Sequence, residues 1–200
     1  MIPEPLKKFI DLFSKIPGVG LRQAYRIAFW FLKHNKAFMY AYGFSLKEMA
    51  DTLAVCSQCF FVFEKRTEEQ TFCVICSDKS RDHTVIAVVE KETDLISIEK
   101  TKQYRGLYHI LGGLITPDEH NNHDLRLKEL MERIDRNPQT KEIILAISHT
   151  AQGDLTAMEL EKMMKPFAIN ITRLGLGLPR GAEVEFADED TLSNAIRSRK

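Results

Sequence analysis

Cys56-Ser57-Gln58-Cys59 and Cys73-Val74-Ile75-Cys76 hold all four cysteines of this 200-residue chain, with thirteen residues between the pairs. Each Cys-x2-Cys turn can present two thiolates to one ion, and a second such turn completes the four-coordinate shell that zinc takes in structural sites. A disulfide framework is the alternative. The chain opens Met1-Ile2-Pro3-Glu4, without the charged and apolar regions of a signal peptide, which points to a reducing compartment where disulfides are scarce. The expectation is therefore one structural zinc ion held by Cys56, Cys59, Cys73 and Cys76, with no open position for chemistry. The flanking Phe60, Phe61, Phe63 and Phe72 are expected to supply the apolar packing of so small a module.

Working outward, 44% hydrophobic content without an apolar run near membrane-spanning length describes a soluble intracellular protein and excludes membrane insertion. The formal net charge is zero, but it is unevenly distributed. Residues 1–40 carry seven cations (Lys7, Lys8, Lys15, Arg22, Arg26, Lys33, Lys36) against Glu4 and Asp11, a balance of +5 that the other 160 residues offset. A basic N-terminal module on an acidic body suggests one end for phosphates and another for a different partner.

In the basic module, Leu6, Phe9, Ile10 and Phe13 keep the helical period up to Pro17-Gly18. A second helix carries Leu21, Ala24, Tyr25, Ala28, Phe31 and Leu32 on one face and Arg22, Arg26 and Lys33 on another. Between the two lies Ile16-Pro17-Gly18-Val19-Gly20, where paired glycines allow a tight turn whose amides face outward beside a helix N-terminus. Such a turn suits phosphate binding, with Arg22 placed to clamp the same group. Lys33, Lys36, Phe38, Tyr40 and Tyr42 could extend this surface, and Ser45-Leu46-Lys47-Glu48 reads as a capping box opening a third helix.

From residue 84 strands alternate with helices. Residues 84–89, 106–111, 142–147 and 168–174 read as extended, and residues 94–100, the Leu127/Leu130/Met131/Ile134 stripe and the Ala157/Leu160/Met164/Phe167 stripe read as helical. Such alternation predicts an α/β domain with a mainly parallel sheet and its sites at the carboxyl ends of the strands. Two such ends carry polar groups: Glu90 after the first strand, with Glu92 and Asp94 beyond it, and Ser148-His149-Thr150-Ala151-Gln152-Gly153-Asp154 after a later one. His149 has only Ser148 and Asp154 nearby as partners and reads as a polar loop residue. His83, His109, His120 and His123 lack a spacing that would make them ligands beside the cysteines.

Pro17-Gly18-Val19-Gly20 with Arg22 resembles the helix-hairpin-helix motif, which grips the DNA backbone without reading sequence. The strand-end acids resemble the Toprim domain of topoisomerases and primases. Active members of that superfamily hold magnesium with a glutamate and an Asp-x-Asp pair, and here the second cluster reads Ser148-His149-Thr150 instead. Further strings are Cys73-Val74-Ile75-Cys76-Ser77-Asp78, Ala87-Val88-Val89-Glu90, Tyr104-Arg105-Gly106-Leu107-Tyr108-His109-Ile110-Leu111-Gly112-Gly113, Gly177-Leu178-Pro179-Arg180-Gly181 and Glu185-Phe186-Ala187-Asp188. With these, the chain as a whole resembles the RecR family of bacterial recombination mediators.

That resemblance implies a multidomain α+β chain: a helix-hairpin-helix DNA-binding module at 1–52, a four-cysteine zinc finger at 53–79, a Toprim domain at 80–174 and a C-terminal segment for assembly at 175–200. It implies a cytoplasmic, nucleoid-associated protein of recombinational DNA repair that is not an enzyme. Such a protein forms a dimer or tetrameric ring and acts with RecO, and in some settings RecF, to help load RecA on gapped DNA. Gly18, Val19, Gly20, Arg22 and Arg26 would meet DNA, and Glu90 and Asp94 would face the protein partner. The alternative is a magnesium-dependent Toprim-type nucleic-acid enzyme. The chain departs from the family pattern at Leu21, where proline is usual, at Arg22, where lysine is usual, at Phe186, where tyrosine is usual, and across residues 148–154.

Overall fold

A computed structural model describes residues 2–117, 124–175, 177–178, 181–197 and 199. His120 and His123, and Pro179 and Arg180 of the late glycine string, lie outside them. The chain divides into two compact units, Met1–Leu53 and Ala54–Lys200.

The first unit is helical: α1 (Glu4–Phe13), α2 (Leu21–Leu32) and α3 (Lys36–Thr52). Its core consists of Ile10, Ala24 and Ala28, with Leu6, Phe9, Phe13, Val19 and Tyr25 packed around them. The structure corrects two expectations. Leu21 and Leu32, expected on the apolar face of α2, are more than half exposed, because they stand at its first and last positions, where less of the chain covers them; Leu32 lines an open groove beside Leu6 and Phe9 of α1. Ser45–Glu48 opens no helix: α3 already begins at Lys36, where the Asn35 side chain accepts from the Phe38 amide at 2.9 Å, so a local capping pattern sits unused inside a longer helix.

From the boundary onward a short pair, β1 (Leu53–Val55) and β2 (Val62–Glu64), frames the first cysteine turn, and α4 (Val74–Ser77) carries the second. Then follow β3 (Asp82–Val89), α5 (Glu92–Lys100), β4 (Gly106–Ile110), α6 (Leu127–Arg136), β5 (Glu142–Ala146), α7 (Ala151–Met164), β6 (Asn170–Arg173) and α8 (Glu189–Arg197). The four strands β3 to β6 form one parallel sheet in the order β4-β3-β5-β6, matching the α+β class expected.

Strand alternation sends β-sheet side chains to two cores. Ile86, Val88, Leu107, Ile143 and Leu145 pack with Leu130 and Ile134 of α6 and Ala157, Leu160 and Met164 of α7. Ala87, Val89, Tyr108, Ile110 and Ala146 pack with Leu95 of α5 and with the four cysteines and Phe63. The cysteine module is thus continuous with the sheet's core and is not a separate bead. Phe60 and Phe61 join this packing, whereas Phe72 stands 46% exposed and does not, because its place before Cys73 turns it outward.

Gly106 explains part of the Tyr-Arg-Gly string. A Cβ there would collide with the Tyr104 hydroxyl and lie 2.7 Å from Val85 O. The Tyr104 side chain crosses the strand start at this point and donates to Leu107 O at 2.8 Å, so only glycine leaves it room.

Candidate metal centre and nucleic-acid interface

The four sulfurs lie within 4.8 Å of one another, and Cys59 and Cys73 Sγ are 3.5 Å apart. A tetrahedral shell with metal–sulfur bonds of about 2.3 Å has edges of about 3.8 Å, so the donor set fits one four-coordinate ion. All four cysteines are buried. Local backbone bonds set the turns: the Cys56 amide donates to Phe61 O, Phe60 to Cys56 O and Ser77 to Cys73 O, and the Cys73 amide points at Cys56 Sγ at 3.3 Å. Phe60 takes a left-handed backbone (φ 67°) to close the first turn. Hydrogen bonding by Cys59 holds the Cys56 thiol below its ordinary range, and hydrogen bonding with Cys56 pushes Cys59 and Cys76 above it. Thiols this close cannot all ionise without a cation among them, which is the chemistry of a metal site.

The first cysteine turn also covers the edge of the sheet. β4 is an edge strand, and an edge strand presents unpaired amides and carbonyls. Cys59 O accepts from the Ile110 amide at 3.0 Å. From the other side Arg133 of α6 donates through Nη1 to Gln58 O at 3.0 Å and to Tyr108 O at 2.5 Å. Nothing in the sequence marks Arg133, since the pattern of α6 shows only its apolar stripe. Its neighbour His109 is fully buried in β4, with Nε2 2.9 Å from Arg126 O, and burial pushes its pKa down to about 3, which keeps it neutral. His83 likewise meets a backbone carbonyl, that of Asp78. Among the described residues the four cysteines are the one group of His, Cys, Asp and Glu side chains close enough to hold a metal ion.

At the carboxyl ends of β3 and β5 the parallel register sets Val89 against Ala146, and this brings Glu90 and Ser148 together. Ser148 Oγ donates to Glu90 Oε2 at 2.9 Å, and Lys91 Nζ lies 3.8 Å from the other carboxylate oxygen. The remaining polar groups turn elsewhere. Asp154 pairs with Arg173 of β6 at 2.7 Å, and His149 Nε2 is 3.1 Å from Leu174 O, away from both Ser148 and Asp154 as hydrogen-bond partners. Asp94 accepts from the Lys91 amide at 3.0 Å and so caps the start of α5. Thr150 caps α7 by accepting from the Gly153 amide.

In the helical unit the hairpin closes through the Val19 amide, which donates to Ile16 O at 2.9 Å while the Val19 side chain packs on the small core. Gly18 adopts φ 79°, the left-handed region that a side chain strains. Gly20 is the N-cap of α2 in an extended conformation, with no side-chain cap and no acid in the first turn. The N-terminal amides and dipole of α2 therefore face solvent unneutralised. Arg22 and Arg26 are exposed one turn apart and make no ion pair or side-chain hydrogen bond among the described residues. A groove of about 530 Å³ runs along the same helix past Arg26 and Lys33, with Phe29 and Trp30 in its wall. Phe38 and Tyr42 of α3 are not free platforms beside it; they pack on Trp30 and Phe31 at ring separations of 5.0–6.5 Å.

Residues 84–175 match the family model of the Toprim domain. The chain is 40% identical over 198 residues to the recombination protein RecR of Lacticaseibacillus casei strain BL23, covering 98% of this chain and 97% of that protein. The identity and coverage are the same for the recombination proteins RecR of Staphylococcus saprophyticus and of Staphylococcus aureus strain Newman. Among the described residues no helix is long and apolar enough to cross a membrane.

Proposed function

The chain belongs to the RecR family of recombination proteins, and from that membership we propose that it is a DNA-binding recombination mediator with no catalysis of its own. The observation that carries this reading is the hairpin: Gly18, Val19 and Gly20 deliver the uncapped N-terminus of α2, and Arg22 and Arg26 stand beside it without anionic partners among the described residues. Phosphate oxygens satisfy both the amides and the guanidinium groups, and neither reads a base. Binding is accordingly sequence-independent and salt-sensitive.

The domain boundaries read from sequence, 1–52, 53–79, 80–174 and 175–200, are retained as functional divisions, the last for assembly. The ion in the four-cysteine site is zinc, since soft thiolates in a closed tetrahedral shell select it and no position is left for a substrate. It supplies structure, tying the two cysteine turns to the sheet edge. Self-association into a dimer or tetrameric ring is supported by the helical unit, where α3 buries none of its residues and Phe29, Trp30, Tyr40, Phe44 and Leu46 are exposed. Two arginines per chain bind firmly only when several copies act together. RecO, and in some settings RecF, are the proposed protein partners, with Glu90 on the docking surface and Asp94 acting there through the α5 cap. The outcome is RecA loading on gapped DNA, in the cytoplasm at the nucleoid.

The competing reading, a magnesium-dependent Toprim enzyme, needs convergent carboxylates. Glu90 meets a hydroxyl, and Asp154 is held by Arg173. Titration of a gapped duplex at two salt concentrations with magnesium present, with Arg22→Ala/Arg26→Ala alongside, tests the proposal. Intact DNA on a denaturing gel with weakened binding by the variant is expected; cut DNA would replace the mediator reading by the enzymatic one.

A further inference from the structure

Arg133 is 6% exposed, and its guanidinium faces no carboxylate among the described residues. The acid one position before it, Glu132, is engaged by Lys128 and Arg136 on the outer face of α6. Nη1 is satisfied by the carbonyls of Gln58 and Tyr108, while Nε and Nη2 are buried without a hydrogen-bond partner. An arginine does not shed its proton in a protein, and a buried charge is tolerated only with compensation nearby. Burial works against its charge, and its Nη1 contact with Gln58 O seats the guanidinium on the first cysteine turn, between the ligands Cys56 and Cys59 in sequence. Four thiolates around one divalent ion carry two negative charges in excess, and they too are buried.

We infer that Arg133 is the counter-charge and the strap of the four-cysteine site: its cation offsets the excess negative charge of the metal–thiolate cluster while Nη1 ties the first cysteine turn to the edge of β4. The inference rests on the metal reading above. Metal retention and the closure of the sheet edge then depend on one side chain supplied by α6, an element far from the cysteines in sequence. Arg133 is a positioning residue and takes no part in ligation.

Zinc content and the rate of zinc transfer to a colorimetric chelator test this on the full chain and on Arg133→Met, Arg133→Gln and Arg133→Lys, with the exposed Arg136→Met as reference. Loss of such an outer partner typically weakens metal binding about tenfold to a hundredfold. Met and Gln variants should release zinc at least about tenfold faster, Lys should stay near the parent, and Arg136→Met should match it. A Gln variant that holds zinc like the parent would show that a donor suffices and would overturn the charge role. Equal release in all variants overturns the inference alone, whereas a parent chain that takes up no zinc overturns the metal reading with it. Should the Met and Gln variants not fold, hydrogen exchange on the parent chain decides. Chelation should speed exchange in α6 as well as in residues 54–77, and an α6 indifferent to metal removal would sink the idea.

Discussion

Arg81 and Glu99 meet through two parallel hydrogen bonds, Nη1 to Oε1 at 2.9 Å and Nη2 to Oε2 at 2.6 Å, joining the turn that leads into β3 to the end of α5. Tyr108 donates its hydroxyl to the same carboxylate at 2.7 Å, and Arg81 Nη1 also reaches Gly106 O. The pair thus links α5, β4 and the segment after the second cysteine turn.

The Arg81 hydrogen bonds, partly opposed by burial, hold the Glu99 carboxyl below its ordinary value. A carboxyl depressed in the folded state contributes stability that is present above its unfolded pKa and is lost as pH falls through the folded one. Glu99→Gln should therefore cost about 2 kcal/mol near neutrality and erase that part of the acid-side decline. Urea unfolding at pH 7 and pH 4 checks this: the gap between parent and variant should narrow at the lower pH.

Gly106→Ala should destabilise the second unit by about 1–3 kcal/mol, the cost of forcing an extra carbon into a packed site. Tyr104→Phe in the same background should recover part of the loss, since the hydroxyl is the nearest atom to the added Cβ. Thermal unfolding midpoints of the two single variants and the double variant measure that coupling.

At the hairpin the two glycines are expected to differ. Gly18 has φ 79°, so Gly18→Ala should cost about 1–2 kcal/mol in backbone strain. Gly20 has φ −75° and open space at its Cβ, so Gly20→Ala should cost under about 1 kcal/mol. Denaturation of the helical unit followed by Trp30 fluorescence separates them.

Arg22→Ala/Arg26→Ala should flatten the dependence of DNA affinity on salt by about 0.9 in log–log slope for each duplex phosphate that is no longer neutralised. Binding should weaken equally on unrelated sequences, and fluorescence anisotropy on two duplexes across a salt series reads both effects. A sequence-dependent loss would point to base recognition.

Lowering pH should release the metal, because protons compete for the thiolates. Cys76→Ser should abolish stoichiometric zinc and loosen the edge of β4, where Cys59 O bonds the Ile110 amide. Metal analysis of the purified variant and exchange at Ile110 test both statements.

Much of the molecule is legible in the sequence because the signals are local. Cysteine spacing sets a four-sulfur site through turn geometry alone, alternation of β-branched runs with 3.6-residue stripes marks the strands and helices of the sheet domain, and Pro17-Gly18-Val19-Gly20 marks the hairpin. Local signals also mislead: Ser45–Glu48 has the form of a helix start, but Asn35 has already opened α3. What the tertiary structure alone decided depends on which elements become neighbours. The placing of β3 beside β5 brings Glu90 to Ser148 and leaves Asp154 to Arg173. The placing of β4 at the edge of the sheet gives the first cysteine turn and Arg133 their common target. No periodicity announces that a single arginine on an amphipathic helix will be buried, since burial follows from the wrapping of α6 against a strand and a metal module distant in sequence, and hydrogen-bond satisfaction is settled only after that packing is complete.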